Sequence, residues 1–444
     1  MSENAREHGA VKGIGRSGIL AFGIFVAGAG LTYCAQLLIA RVVGAGTYGI
    51  YAYVLAWMTL AAYFAALGFD VALLRIVPTY QTQRADGLIR GVIQYAQRRV
   101  LLIGLAVVAV GIAIGVFEPK WVATETRKTL LAGVWLVPLL AILWVRCSVL
   151  RAYGMVALPV ASDRVVRDGV LIVLVFAAAM TFSRPIDAQL LMILTVAGAC
   201  AGLVLASVAM HQLPGLSELS AQPEYDEKSW RSIAAPLLVI GAAEVLLNRT
   251  GILVLGWSGD ALNAGIYSLV FNISFVVALP RTAINTRFAP MLASVFARND
   301  QAVMQDLVNK SATWSFAAAT AIAAVMWVFA EPILGWFGRD FAAGAPALRI
   351  LLAGQVFAAS TGSQLYIMTM TGHERHAAGL LVACTIANVV LTAILAQSFG
   401  LIGAAIATTV TLIAWNMGMM HYIWQRLQIL PGLLGSVRAL RVAA

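Results

Sequence analysis

From Ile19 to Ala40 the chain runs for 22 residues without a charge or a proline. At 1.5 Å of rise per residue, a helix of that length crosses the hydrocarbon core of a bilayer. The run ends in the short turn Arg41-Val42-Val43-Gly44-Ala45-Gly46-Thr47, and a second apolar run, Tyr48 to Phe69, follows at once. A turn this short holds no domain, so the second run must come straight back across the membrane. The hairpin recurs. Gly49-Ile50-Tyr51 opens its second run, and Gly265-Ile266-Tyr267 opens another, 216 residues on, after the apolar stretch Ile233–Leu255. Two further matches keep the same order: Phe117-Glu118-Pro119 with Ala330-Glu331-Pro332, and Leu130-Leu131-Ala132-Gly133 with Leu351-Leu352-Ala353-Gly354. The chain reads as two copies of one membrane lobe.

Composition supports the same reading. Hydrophobic residues make up 61% and charged residues 11%, against about 25% charged in soluble domains. The predicted fold class is all-α integral membrane, with twelve transmembrane helices in two six-helix lobes around a central cavity. The first six spans are expected near 19–40, 48–68, 100–117, 130–150, 165–182 and 188–210. The second six are expected near 233–255, 265–284, 313–330, 345–370, 377–397 and 401–423. This divides the chain into a tail (1–16), an N-lobe (17–210), a linker (211–230), a C-lobe (231–424) and a second tail (425–444). Six is even, so the lobes share an orientation and are expected to be related by an axis along the membrane normal.

The net charge of +10 does not point to nucleic acid, because the cations sit in short loops at span ends. With the N-terminus inside, 22 of the 30 Lys and Arg residues fall on that side and six on the other (Arg41, Lys120, Arg127, Lys128, Arg184 and Arg339). Both termini are therefore expected in the cytoplasm. The first run is too long for a cleavable leader and is expected to stay as an anchor. The basic stretches 70–99 and 281–313 are expected to lie on the membrane face. Cys34, Cys147, Cys200 and Cys384 have no metal or CxxC spacing, and no hydrolase elbow, phosphate loop or zinc motif is present. The chain is expected to be no enzyme and to need no cofactor or metal.

Ionisable residues at membrane depth remain. Glu244, Asn248 and Arg249 lie inside the seventh span, and each charge costs about 2.5–3.5 kcal/mol at a helix centre unless a polar cavity or partner receives it. Glu244 and Asn248 share a face; Arg249 points about 140° away and should not pair with Glu244. Arg41, Arg75, Arg146 and Arg349 are cationic at or near span ends, either as cavity residues or as anchors that reach the interface. Tyr33, Gln36, Tyr51, Asn272, Gln355 and Gln364 either line a cleft or make helix-to-helix hydrogen bonds. The excess of arginine over carboxylate suits an anionic cargo, because the guanidinium fork binds phosphate oxygens two at a time. Gly23, Gly28 and Gly30 in the first span and Pro236 and Gly241 in the seventh mark helices able to bend as gates.

Ala40-Arg41-Val42-Val43-Gly44-Ala45-Gly46-Thr47-Tyr48-Gly49-Ile50-Tyr51, followed by Ala66-Leu67-Gly68-Phe69-Asp70, resembles the opening signature of polysaccharide-export flippases. Gly265-Ile266-Tyr267, Ala289-Pro290-Met291-Leu292-Ala293 and Gly400-Leu401-Ile402-Gly403-Ala404-Ala405 are similar to later parts of the same family. The family falls within the multidrug/oligosaccharidyl-lipid/polysaccharide exporter superfamily. The resemblance implies alternating access and export of an oligosaccharide on a polyprenyl pyrophosphate carrier, for O-antigen or exopolysaccharide. It implies a pyrophosphate received by cavity cations, here Arg41, Arg146 and Arg249 by position. Partners implied are the lipid-linked glycan, the bilayer, a coupling H+ or Na+ and a polysaccharide polymerase. Many relatives carry an acid in the seventh span near Asn248–Thr250, where this chain has Arg249, and Glu244 lies one turn earlier.

Two other readings make different demands. A multidrug or lipid II exporter of the same fold calls for a buried acid in the first lobe, or for spans beyond twelve, and the runs suggest neither. A membrane glycosyltransferase calls for a large outer loop, and the loops on that side are short.

Overall fold

The structure is a computed structural model that describes residues 3–117, 123–155, 157–181, 186–213, 222–297, 301–433 and 435. Glu118, Pro119, Pro214, Glu218 and the end of the second tail lie outside the described residues. Among those described there are helices and no strands, as lipid requires of a chain whose backbone must satisfy itself locally. Nine described stretches are long and apolar enough to cross a membrane. One of them, Glu374–Leu427, is two spans. The first span, 3–43, and a charged fifth span, 157–181, complete the twelve.

The first hairpin turn is shorter than the seven residues the sequence suggested. Glu3–Ala66 is helical throughout except at Gly44, with φ 76° and ψ 170°. Glu374–Leu427 breaks only at Gly400, with φ 53° and ψ −127°. Both conformations are strained for any residue with a Cβ, so one glycine reverses the chain while the helices on either side keep their hydrogen bonds. The described parts of the basic stretches are helical. Asp86–Arg99 continues the third span, Asp86–Val116, as helix. Residues 281–297 likewise extend the eighth span, which passes through a 3₁₀ turn at Phe275–Ala278.

The chain packs as two compact units, Met1–Val43 with Val54–Ala242, and Gly44–Tyr53 with Ala243–Ala444. In the first, Leu136–Ala152 is the central helix and packs against Phe69–Thr82, Asp86–Val116 and Ala188–His211. Gly104, Gly111 and Gly115 of the third span face Pro138, Val134 and Leu131 of the fourth, since small residues let membrane helices approach closely. The opposite face of the third span leaves Leu101, Leu102, Leu105 and Val110 exposed, a surface suited to acyl chains.

In the second unit Ala345–Ser360 is central, packed against Ala261–Ser274, Gln301–Val328 and Glu374–Leu427. The repeated glycines have a direct structural use here. A Cβ on Gly49 would fall 1.7 Å from the Ala261 carbonyl oxygen, and one on Gly265 2.2 Å from that of Ala45. Two Ala-x-x-x-Gly segments therefore cross backbone to backbone. The tyrosines two residues on, Tyr51 and Tyr267, are both buried, and the Tyr267 hydroxyl lies 2.7 Å from Thr408 Oγ1.

Candidate functional site

Polar clusters lie within the apolar helices of both units. The first surrounds a π-helical turn, Ala161–Val166, in the fifth span. Such a turn adds a residue to the helix, re-aims side chains and is frequent at functional sites. It rests on a G-x-x-x-G face of the sixth span, where a Cβ on Gly198 or Gly202 would come within 2.6 or 2.5 Å of the carbonyl oxygens of Arg167 and Ser162. Arg167 donates to Asp163 Oδ1 from Nη1 and to Asp168 Oδ1 from Nε, both at 2.9 Å. The other Asp168 oxygen accepts from the Thr32 hydroxyl of the first span. Arg164 packs where a Cβ on Gly28 would sit and is close enough for its charge to act on Tyr33.

This cluster corrects the sequence reading. Arg164 and Arg167 counted there as loop cations, and the first lobe was expected to lack a buried acid. Asp168 is 5% exposed. Hydropathy charges each ion separately, whereas here carboxylates and a guanidinium share the cost of leaving water. The i, i+4 and adjacent spacing of Asp163, Arg167 and Asp168 was the available signal.

The second cluster lines a cavity of about 840 Å³ between the third and fourth spans and the start of the seventh. Arg98, Arg99 and Arg146 share it with one carboxylate, Glu227. Arg99 lies 3.5 Å from Glu227 and stands over the Tyr95 ring at 5.2 Å. Arg146 donates from Nη1 to Ser207 Oγ, and its Nε is buried with no hydrogen-bond partner among the described residues. Arg98 and Arg99 were hidden from sequence reasoning because they immediately precede an apolar run and read as loop anchors.

The third cluster is in the second unit. Arg249 is half-buried in the seventh span, Glu227–Trp257. Its charge acts on the fully buried Tyr48, whose hydroxyl hydrogen-bonds with Ser268 and Asn272. The eleventh span steadies this helix: Thr385 Oγ1 donates to the Ala243 carbonyl at 3.2 Å, and Asn388 Nδ2 to that of Leu247 at 3.5 Å.

The structure thus brings together Arg249 and Asn272, and places Arg146 with two arginines that the sequence did not single out. Glu244 is exposed and makes no ion pair among the described residues, and Asn248 is half-buried. Arg41 is exposed at the end of the first span and does not line the cavity of Arg146. Tyr33, Gln36 and Gln355 are half-buried, and Gln364 is buried with neither amide atom bonded among the described residues. Arg75 is exposed, and Arg349 is tied to Glu331 at 3.5 Å and to the Trp327 carbonyl at 3.3 Å.

The fold is similar to those of solved membrane transporters. The chain is similar to an inward-facing multidrug resistance MATE family transporter of the MOP superfamily, with a TM-score of 0.72 at 14% identity, covering 93% of this chain and 98% of that one. It is also similar to the lipid II flippase MurJ in an inward closed conformation, with a TM-score of 0.70 at 14% identity, covering 91% and 87%. A curated relative, the "Probable low-salt glycan biosynthesis flippase Agl15" of Haloferax volcanii, is 25% identical over 166 residues, 36% of this chain. The chain spans only 34% of that protein's length. Residues 14–296 match the family described as "Polysaccharide biosynthesis protein". The chain belongs to that family.

Proposed function

We propose that this protein flips a polyprenyl-pyrophosphate-linked oligosaccharide from the cytoplasmic to the outer leaflet of a bacterial inner membrane, for surface polysaccharide export. The family match across residues 14–296 is the observation that carries the reading. Movement is by alternating access of the lobes 17–210 and 231–424, with both termini cytoplasmic, as the 22-to-six bias of cations favours. Of the three arginines Arg41, Arg146 and Arg249, we assign the pyrophosphate first to Arg249. It combines membrane depth with hydroxyl and amide neighbours, which suits a charged headgroup followed by a sugar. Glu244, a little over one turn before it, and the adjacent Asn248 are proposed as coupling residues for H+ or Na+.

The test uses cells whose own copy is deleted. Arg249→Ala at normal protein level should abolish surface polysaccharide, and Arg249→Lys should restore part of it, since an ammonium keeps the charge but loses the bidentate fork. Normal polysaccharide with Arg249→Ala would overturn the assignment. Buried Asp168 favours one alternative, a multidrug exporter of the same fold, because an acid in the first lobe suits a cationic drug. Its engagement by Arg167 argues the other way. Drug-resistance profiles of the deletion strain separate the two.

A further inference from the structure

The cavity around Arg146 is lined wholly by residues of the first unit, and its chemistry changes from one end to the other. At one end stand Arg98, Arg99 and Arg146, opposed by the single carboxylate of Glu227. That carboxylate is already shared, lying 3.5 Å from Arg99 and 3.6 Å from Arg231. Arg98 makes no ion pair among the described residues. Arg146 has a buried Nε with no partner among the described residues. A guanidinium that the protein satisfies only in part still calls for acceptor oxygens. Gln94 and Tyr225 also line the cavity; the Tyr225 hydroxyl donates to Gln94 Oε1 at 3.3 Å, which leaves the Gln94 amide N–H groups to donate and the Tyr225 oxygen to accept.

The other end is apolar. Leu101, Leu102 and Ile142 line it, and Leu101 and Leu102 are at the same time exposed on the outer face of the third span. That face continues through Leu105 and Val110, also exposed. Arg98 and Arg99 are the last charges before the uncharged run Val100–Val116, so the polar end sits at the depth of lipid headgroups. A soluble anion would need only the arginines. A cavity that joins an arginine cluster to an acyl-chain surface suits an amphiphile whose charge is a phosphate, as basic pockets between membrane helices do.

We propose that this cavity binds the headgroup phosphate of an anionic phospholipid of the inner leaflet. Arg146 and Arg98 take the phosphate oxygens, Tyr225 and Gln94 take the headgroup hydroxyls, and the acyl chains lie along Leu101, Leu102 and Leu105. The site ties together the third span, the fourth span and the residues just before the seventh, so its occupancy stabilises the first unit. It does not depend on what the protein transports.

The test is ligand-dependent stability of the purified full-length protein in detergent. Its unfolding midpoint is followed against dihexanoyl phosphatidylglycerol, dihexanoyl phosphatidylcholine or inorganic phosphate, because a ligand that binds the folded state raises the midpoint with its concentration. Phosphatidylglycerol should raise it, while phosphatidylcholine and phosphate at equal concentration should not. Arg98→Gln, at an exposed position, should weaken the phosphatidylglycerol affinity about tenfold, and Arg146→Gln should remove the effect. Should Arg146→Gln fail to fold, Arg98→Gln decides alone. Equal stabilisation by phosphatidylcholine would show that no anion is recognised, and stabilisation by phosphate alone would make this a soluble-anion site. Either result, no shift with any ligand, or an unchanged affinity in Arg98→Gln would overturn the proposal.

Discussion

Single residues in this chain are informative mainly where a charge has left water. Arg167 is the clearest case, since its guanidinium serves Asp163 and the buried Asp168 at once. Removing one partner of a buried ion pair leaves the other uncompensated, at a cost of about 3–5 kcal/mol. Arg167→Ala should therefore destabilise the protein by an amount of that order in detergent unfolding. Arg41→Ala, at an exposed position, should stay within about 0.5 kcal/mol of the parent. Equal stabilities for the two variants would mean that the cluster is not a structural charge pair. The sequence made Arg249 legible because a cation inside an apolar run is conspicuous. Asp168 was not, because a charge next to its own partner looks like the end of a loop. Tyr48 escaped for a different reason: a tyrosine in an apolar run gives no sign of what its hydroxyl will meet.

Among the elements, the helices themselves were plain from their apolar runs, and so was the repeat. What the repeated Gly-Ile-Tyr meant physically was not. Gly49 and Gly265 face each other at one crossing, a contact between residues 216 apart that no local pattern encodes. Gly49→Ala should cost about 1–3 kcal/mol through forced separation of the helices, and Gly49→Leu should leave little folded protein. Gly46→Ala, with open space around its position, is the control and should be tolerated. Folded yield by size-exclusion chromatography reads all three, and a well-folded Gly49→Leu would refute the close crossing. The reversal at Gly44 makes a separate demand. Its φ of 76° makes Gly44→Val a strained residue, at about 1–3 kcal/mol, without any new clash, since nothing lies within 4 Å of a Cβ there.

For the whole molecule, the proposed topology puts both ends in the cytoplasm. A C-terminal fluorescent-protein fusion should therefore fluoresce and an alkaline phosphatase fusion should be inactive; the reverse pattern would invert the proposed direction of transport. The central claim concerns what crosses. Purified protein in liposomes, with a fluorescent polyprenyl-pyrophosphate oligosaccharide, gives the rate at which label in one leaflet becomes accessible in the other. Exchange is expected with the parent protein, at least about tenfold slower exchange with Arg249→Ala, since one charge-assisted contact to phosphate is lost, and an intermediate rate with Arg249→Lys. Exchange by Arg249→Ala at the parent rate, or none by the parent itself, would contradict it.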